Sequence, residues 1–148
     1  MEWWSDTDDV IDLPAAAADT NLPDVVVVGL PTDFVLVRAV AIFKCRHIEN
    51  TNGGGVNAIE GAQDIRVKKS TGAWGVDDIA AINLADNQWA VAASTREGGD
   101  VIEGDIDIKG EMDGNATYNF RFEDADVDLD FLRLNDVQMG IKAYFTIG

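Results

Sequence analysis

One cysteine, one histidine and three prolines in 148 residues leave little room for several kinds of chemistry. Cys45 has no second cysteine to pair with, so no internal disulfide can form and the redox compartment stays open. His47 shares the strand parity of Cys45. Residues two apart on a strand face the same way but sit beyond direct hydrogen-bond reach, so a Cys-His nucleophilic pair does not follow, and no nucleophile elbow accompanies the histidine. Positive charge is also scarce: 11 Lys and Arg stand against 27 Asp and Glu, for a net charge of −16. Phosphate backbones are bound by clustered Lys and Arg, and here only Arg66, Lys68 and Lys69 cluster. Direct binding to nucleic acid is therefore disfavoured, and the same charge discourages contact with anionic membranes. No apolar run approaches the length that spans a bilayer. The first residues, Met1 to Asp6, offer neither a basic region nor an apolar segment, so a secretory signal is not expected.

What is present is alternation. Hydrophobic residues at 47% and charged residues at 26% are ordinary globular values, and the length suits one domain with a core that needs no disulfide or metal. From Asp100 onward nearly every residue obeys period two. Ile102, Ile106, Ile108 and Met112 alternate with acidic residues and Lys109, and Tyr118, Phe120 and Phe122 alternate with Asn119, Arg121 and Glu123. Val137, Met139, Ile141, Ala143, Phe145 and Ile147 share one face of a closing strand. Asp113-Gly114-Asn115 between two such runs predicts a hairpin, because Gly and Asn accept the positive φ of tight turns. A register slip anywhere in this region would carry carboxylates into the core.

The preceding residues read as shorter strands. Residues 1 to about 24 form an acidic segment holding Pro14, Ala15 to Ala18 and Pro23, expected as an extended N-terminal arm outside a domain of residues 25–148. On that reading, removing residues 1–22 should leave a folded domain. Asp24 to Leu30 reads as a short strand whose unbroken apolar run, Val25 to Val28, suits either a strand covered on both faces or an edge packed under the arm. Asp33 to Ile48 is the longest strand candidate, with a bend or bulge expected near Ala39 to Ala41. Glu49 to Ala62, with three consecutive glycines, is the main loop and a candidate contact surface. Asp64 to Lys69 places Ile65 and Val67 inward, with Arg66 and Lys68 guarding an edge. Val76 to Leu84 is ambiguous, since Val76, Ile79 and Ile82 fit a short helix while Ala80, Ile82 and Leu84 fit the strand chosen here, and Trp89, Val91 and Ala93 alternate along another. About eight short strands and no long amphipathic helix give an all-β fold, an antiparallel β-sandwich of jelly-roll-like type.

Candidate sites are few. The acidic run Glu123 to Asp130 invites a cation, yet along a strand its aspartates stand roughly 6 to 7 Å apart, too far to share one ion unaided. The expected reading is a solvated acidic face with no metal, no cofactor and no catalytic residues. Trp3 and Trp4 are large apolar surfaces on a polar arm, able to fold back over their own domain or dock into a neighbouring subunit. With Val10, Ile11 and Leu13 they are the candidate partner contacts, because apolar residues on a polar arm gain most from docking. Trp74 and Trp89 could stack on sugar rings if exposed, although large aromatics are mostly core or interface residues.

Val91 to Gly104, V-A-A-S-T-R-E-G-G-D-V-I-E-G, followed by Leu134 to Gly148, L-N-D-V-Q-M-G-I-K-A-Y-F-T-I-G, resembles small β-rich virion proteins of tailed bacteriophages over about the last 60 residues. The resemblance is one of style and segment order. It implies a non-enzymatic capsid decoration or accessory protein, located in the virion, that assembles as a homo-oligomer with other particle proteins. The alternative from the residues themselves is a carbohydrate-binding β-sandwich module, with or without Ca²⁺ at its acidic loops.

Overall fold

Strand alternation of apolar and polar residues folds the chain into an all-β sandwich of two antiparallel sheets, seen in a computed structural model. The structure describes residues 1–14, 19–45, 47–50, 63–84, 102–123 and 131–148. Eleven strands lie among them: β1 (Glu2–Trp4), β2 (Asp8–Pro14), β3 (Thr20–Asn21), β4 (Val25–Val26), β5 (Phe34–Cys45), β6 (His47–Asn50), β7 (Gln63–Lys69), β8 (Asp78–Leu84), β9 (Ile102–Asp107), β10 (Thr117–Glu123) and β11 (Phe131–Ile147). The only helical element among the described residues is a 3-10 turn, Lys109–Glu111. One sheet runs β1-β11-β5-β9, with β2 and β6 also paired to β11; the other runs β3-β10-β7-β8, with β4 also paired to β10.

Inward-facing residues of both sheets make one core. Ile65, Val67, Ile82, Tyr118, Phe120 and Phe122 come from the β10-β7-β8 sheet, and Phe43, Cys45, Met139 and Ile141 are among those that meet them from the other. Burying one such side chain is worth about 1.5–3 kcal/mol, so the aromatic stripe of β10 is a large share of the driving force. On β11 both Leu134 and Val137 are buried although three residues apart. Asp136 between them adopts φ +50, which rotates the strand and resets its parity.

Several sequence expectations change in the folded chain. The Asp113-Gly114-Asn115 segment does not close a hairpin, because β9 pairs with β5 in one sheet and β10 pairs with β7 in the other. The 3-10 turn lets Ile108 and Met112 both enter the core, and the chain crosses between sheets there. Tyr118 pins this corner: its hydroxyl accepts from the Asp113 N–H at 2.8 Å and donates to the Asp113 carbonyl at 3.1 Å. The Val25 to Val28 run is not covered on both faces. Val25 and Val27 are buried while Val26 and Val28 are exposed. The β5 irregularity falls at Val37 rather than near Ala39 to Ala41, since Tyr144 pairs with Arg38 and Phe145 with Leu36. That extra residue flips the parity, turning Leu36 and Phe34 toward the core and Val35 and Val37 outward. Strand β7 is also interior to its sheet, so Arg66 and Lys68 lie on a face rather than guarding an edge.

The strands described within the first 24 residues belong to the same two sheets. β1 and β2 pair with β11, and β3 pairs with β10.

Candidate functional site

The outward parity of β10 and β7 places Asn119 beside Lys68 and Arg121 beside Arg66 on one sheet face. The loop from Ser70 to Asp77 folds over this face and is fastened both to β10 and to itself. Ser70 N–H donates to the Thr117 carbonyl, and Asp77 N–H donates to the Ala73 carbonyl. In return, the Asp77 carboxylate accepts from the Ala73 N–H at 2.7 Å and Asp78 accepts from the Gly75 N–H at 3.0 Å. Gly75 has φ +89, a conformation that favours glycine, and a Cβ on Gly72 would land 2.6 Å from Asp77 Cβ.

The loop thereby sets Trp74, which is half-buried and outside the core cluster, over two cations. Lys68 Nζ lies 5.0 Å and Arg121 Cζ 4.5 Å from the ring centroid. Such contacts hold a ring in place by about 0.5–1 kcal/mol each when exposed. Lys68 is 7% exposed and donates to Asn119 Oδ1 at 2.7 Å. Asn119 Nδ2 donates in turn to Asp24 Oδ1 at 2.9 Å, and Arg121 pairs with Asp19 at 3.3 Å. Trp74, Asn119 and Asp24, with Asn21, Leu22, Pro23 and Phe120, line an open cleft of about 440 Å³. That volume is within the range of small-molecule sites, and the lining joins an aromatic plate to a few polar groups.

A second cleft of about 460 Å³ lies against the same loop, lined by Lys69, Thr71, Asp77, Asp78 and Glu111 among others. Its Asp77 and Asp78 carboxylates already hold the loop. Lys69 pairs with Asp113 at 2.7 Å, and this hydrogen bond raises the ammonium above its ordinary 10.5. Burial similarly raises the Tyr118 phenol above 10.0.

The candidate partner contacts sit elsewhere. Trp3, 9% exposed, pairs with Ile141 and donates its indole N–H to the Val28 carbonyl at 2.8 Å. Trp4 lies across Gly140 on the outer face of its sheet, with Lys44 Nζ 4.4 Å and Lys142 Nζ 5.8 Å from its ring. Ile11 is buried opposite Leu134. Val10 and Leu13 have backbone partners in Asn135 and Leu132, while their side chains lie outside the described residues. Trp89, the 53–55 glycines and the acidic residues 124–130 also lie outside them. Among the described residues no group of three or more His, Cys, Asp or Glu is placed to hold a metal ion.

No family model and no curated protein matches the chain. Among solved structures it is similar to the C-terminal domain of EclA, a sugar-binding protein, with a TM-score of 0.36 and 11% identity over 90% of this chain and 79% of that one. A likeness of this order carries no argument about ligands.

Asp24, Asn119 and Arg121 join Trp74 only through the fold. Their outward parity on β10 was readable for Asn119 and Arg121, but nothing local links them to a loop some 45 residues earlier or to Asp24.

Proposed function

We propose that the chain is a carbohydrate-binding module whose ligand stacks on Trp74. One observation carries this reading: a half-exposed tryptophan, fixed by a tightly bonded loop, stands at the edge of a cleft with the Asp24–Asn119 pair. A sugar ring has an apolar face and a polar rim, and this cleft offers a partner for each. Because loop and plate are already ordered, little conformational freedom is lost on binding. Glycan-array screening followed by calorimetry tests it. Trp74→Ala should abolish saccharide binding while the melting curve moves little, since the ring lies outside the core. A uniformly flat array for the unaltered protein would remove the reading.

A second proposal is an oligomeric structural component of a viral particle. Exposed Val35, Val37 and Tyr144 on the outer face at one end of the β5–β11 pair support it as an apolar contact surface. Light scattering after size exclusion tests that reading: a stable oligomer favours it and a monomer counts against it.

A further inference from the structure

The Asp24–Asn119 pair also restricts which ligand the cleft accepts, an inference that rests on the saccharide reading above. A primary amide is ambiguous until its partners are known, and both partners of Asn119 demand the same orientation. The Lys68 ammonium can only donate, so the group it reaches at 2.7 Å is Oδ1. The Asp24 carboxylate only accepts when ionised, so the group it meets at 2.9 Å is Nδ2. The amide is thus locked from both ends.

The remaining hydrogen-bonding capacity follows directly. Asn119 has a second Nδ2–H, and Asp24 has a second oxygen, Oδ2; among the described residues neither is engaged. One donor and one anionic acceptor therefore stand side by side in the cleft that Trp74 walls. We infer that the site takes a neutral pyranoside through two adjacent hydroxyls, one donating to Asp24 Oδ2 and its neighbour accepting from Asn119 Nδ2–H, with the sugar ring against Trp74. Saccharides bearing a carboxylate or sulfate near that rim are rejected. The cations beneath do not reverse this, because Lys68 is buried against Asn119 and Arg121 is paired with Asp19. Lys68 is a positioning residue, since it fixes the amide without lining the cleft.

The experiment is calorimetry with methyl glucoside, galactoside and mannoside, their monodeoxy analogues and methyl glucuronide, on the unaltered protein and on Trp74→Ala, Asp24→Asn and Lys68→Met. At least one neutral glycoside should bind and the glucuronide should not. Deoxygenation at either of two adjacent positions should weaken binding about tenfold or more, and Asp24→Asn, which keeps shape and removes charge, should do the same. Lys68→Met should weaken the neutral glycoside while leaving unchanged the monodeoxy analogue that lacks the hydroxyl accepting from Asn119, because the amide loses its fixed orientation. Binding that Trp74→Ala abolishes but that tolerates every deoxygenation, or that prefers the glucuronide, would overturn the diol inference and leave the saccharide site standing. No binding to any of these saccharides, the glucuronide included, would overturn both.

Discussion

Gly140→Ala is a one-carbon change whose sign depends on a residue at the other end of the sequence. Gly140 is buried on β11, and a Cβ built there falls 2.8 Å from Trp4 Cη2 and closer still to Cε3 and Cζ3. The ring must leave its seat. Overpacking of this kind costs about 1–3 kcal/mol. Displacing the indole also weakens its contacts with Lys44 and Lys142, about 0.5–1 kcal/mol each. Against this, replacing glycine in a strand regains about 0.4–1 kcal/mol through the unfolded chain. The net expectation is destabilisation by about 1–3 kcal/mol, read as a lower urea midpoint with an unchanged slope. In a Trp4→Ala background the space is open, and Gly140→Ala should then be neutral or stabilising by up to about 1 kcal/mol. Equal destabilisation in both backgrounds would refute the argument that the glycine exists to seat the ring.

Deleting residues 1–22 removes β1, β2 and β3 together with the buried Trp3, Ile11 and Leu22. At about 1.5–3 kcal/mol each, these side chains alone rival a typical total stability, so the truncated chain should lose its cooperative melt by circular dichroism; a melt within a few degrees of the full chain would contradict this. Lys69 and Tyr118 both have raised values in the folded state, so each contributes stability that is complete below its unfolded value and lost as pH rises through its folded one. Urea midpoints should therefore fall above about pH 10, and Tyr118→Phe, which also strands Asp113 N–H and costs about 1–2 kcal/mol at neutral pH, should show a smaller alkaline fall.

The sandwich was legible because period-two alternation survives in β7, β10 and β11, where inward Ile65, Val67, Phe120 and Ile141 have charged or polar neighbours. Pairing was not legible. The Asp113-Gly114-Asn115 signal is local, whereas the choice between hairpin and sheet crossing was made by Ile108 and Met112 finding the same core across a 3-10 turn. In β5 an irregularity was legible but its place at Val37 was not, since nothing in an apolar run marks which residue is the extra one. Trp74 was visible as a candidate plate, but its exposure depended on a loop whose clasp comes from Asp77 and Asp78, and its polar neighbours come from Asp24 and Asn119.

Strand β11 pairs with β1, β2, β5 and β6, with Glu2 opposite Lys142 and Leu13 opposite Leu132. During synthesis these partners emerge long before the strand that joins them. Until residues 131–147 appear, the sheet lacks the strand that joins it, and among the described residues β1, β2 and β6 have no other neighbour within it. Closure of loops this long is slow, and waiting strands are open to pairing with other chains. A pause or break before β11 therefore leaves a nascent chain that has most of its core residues, with the β3-β10-β7-β8 sheet lacking a complete partner sheet to pack against.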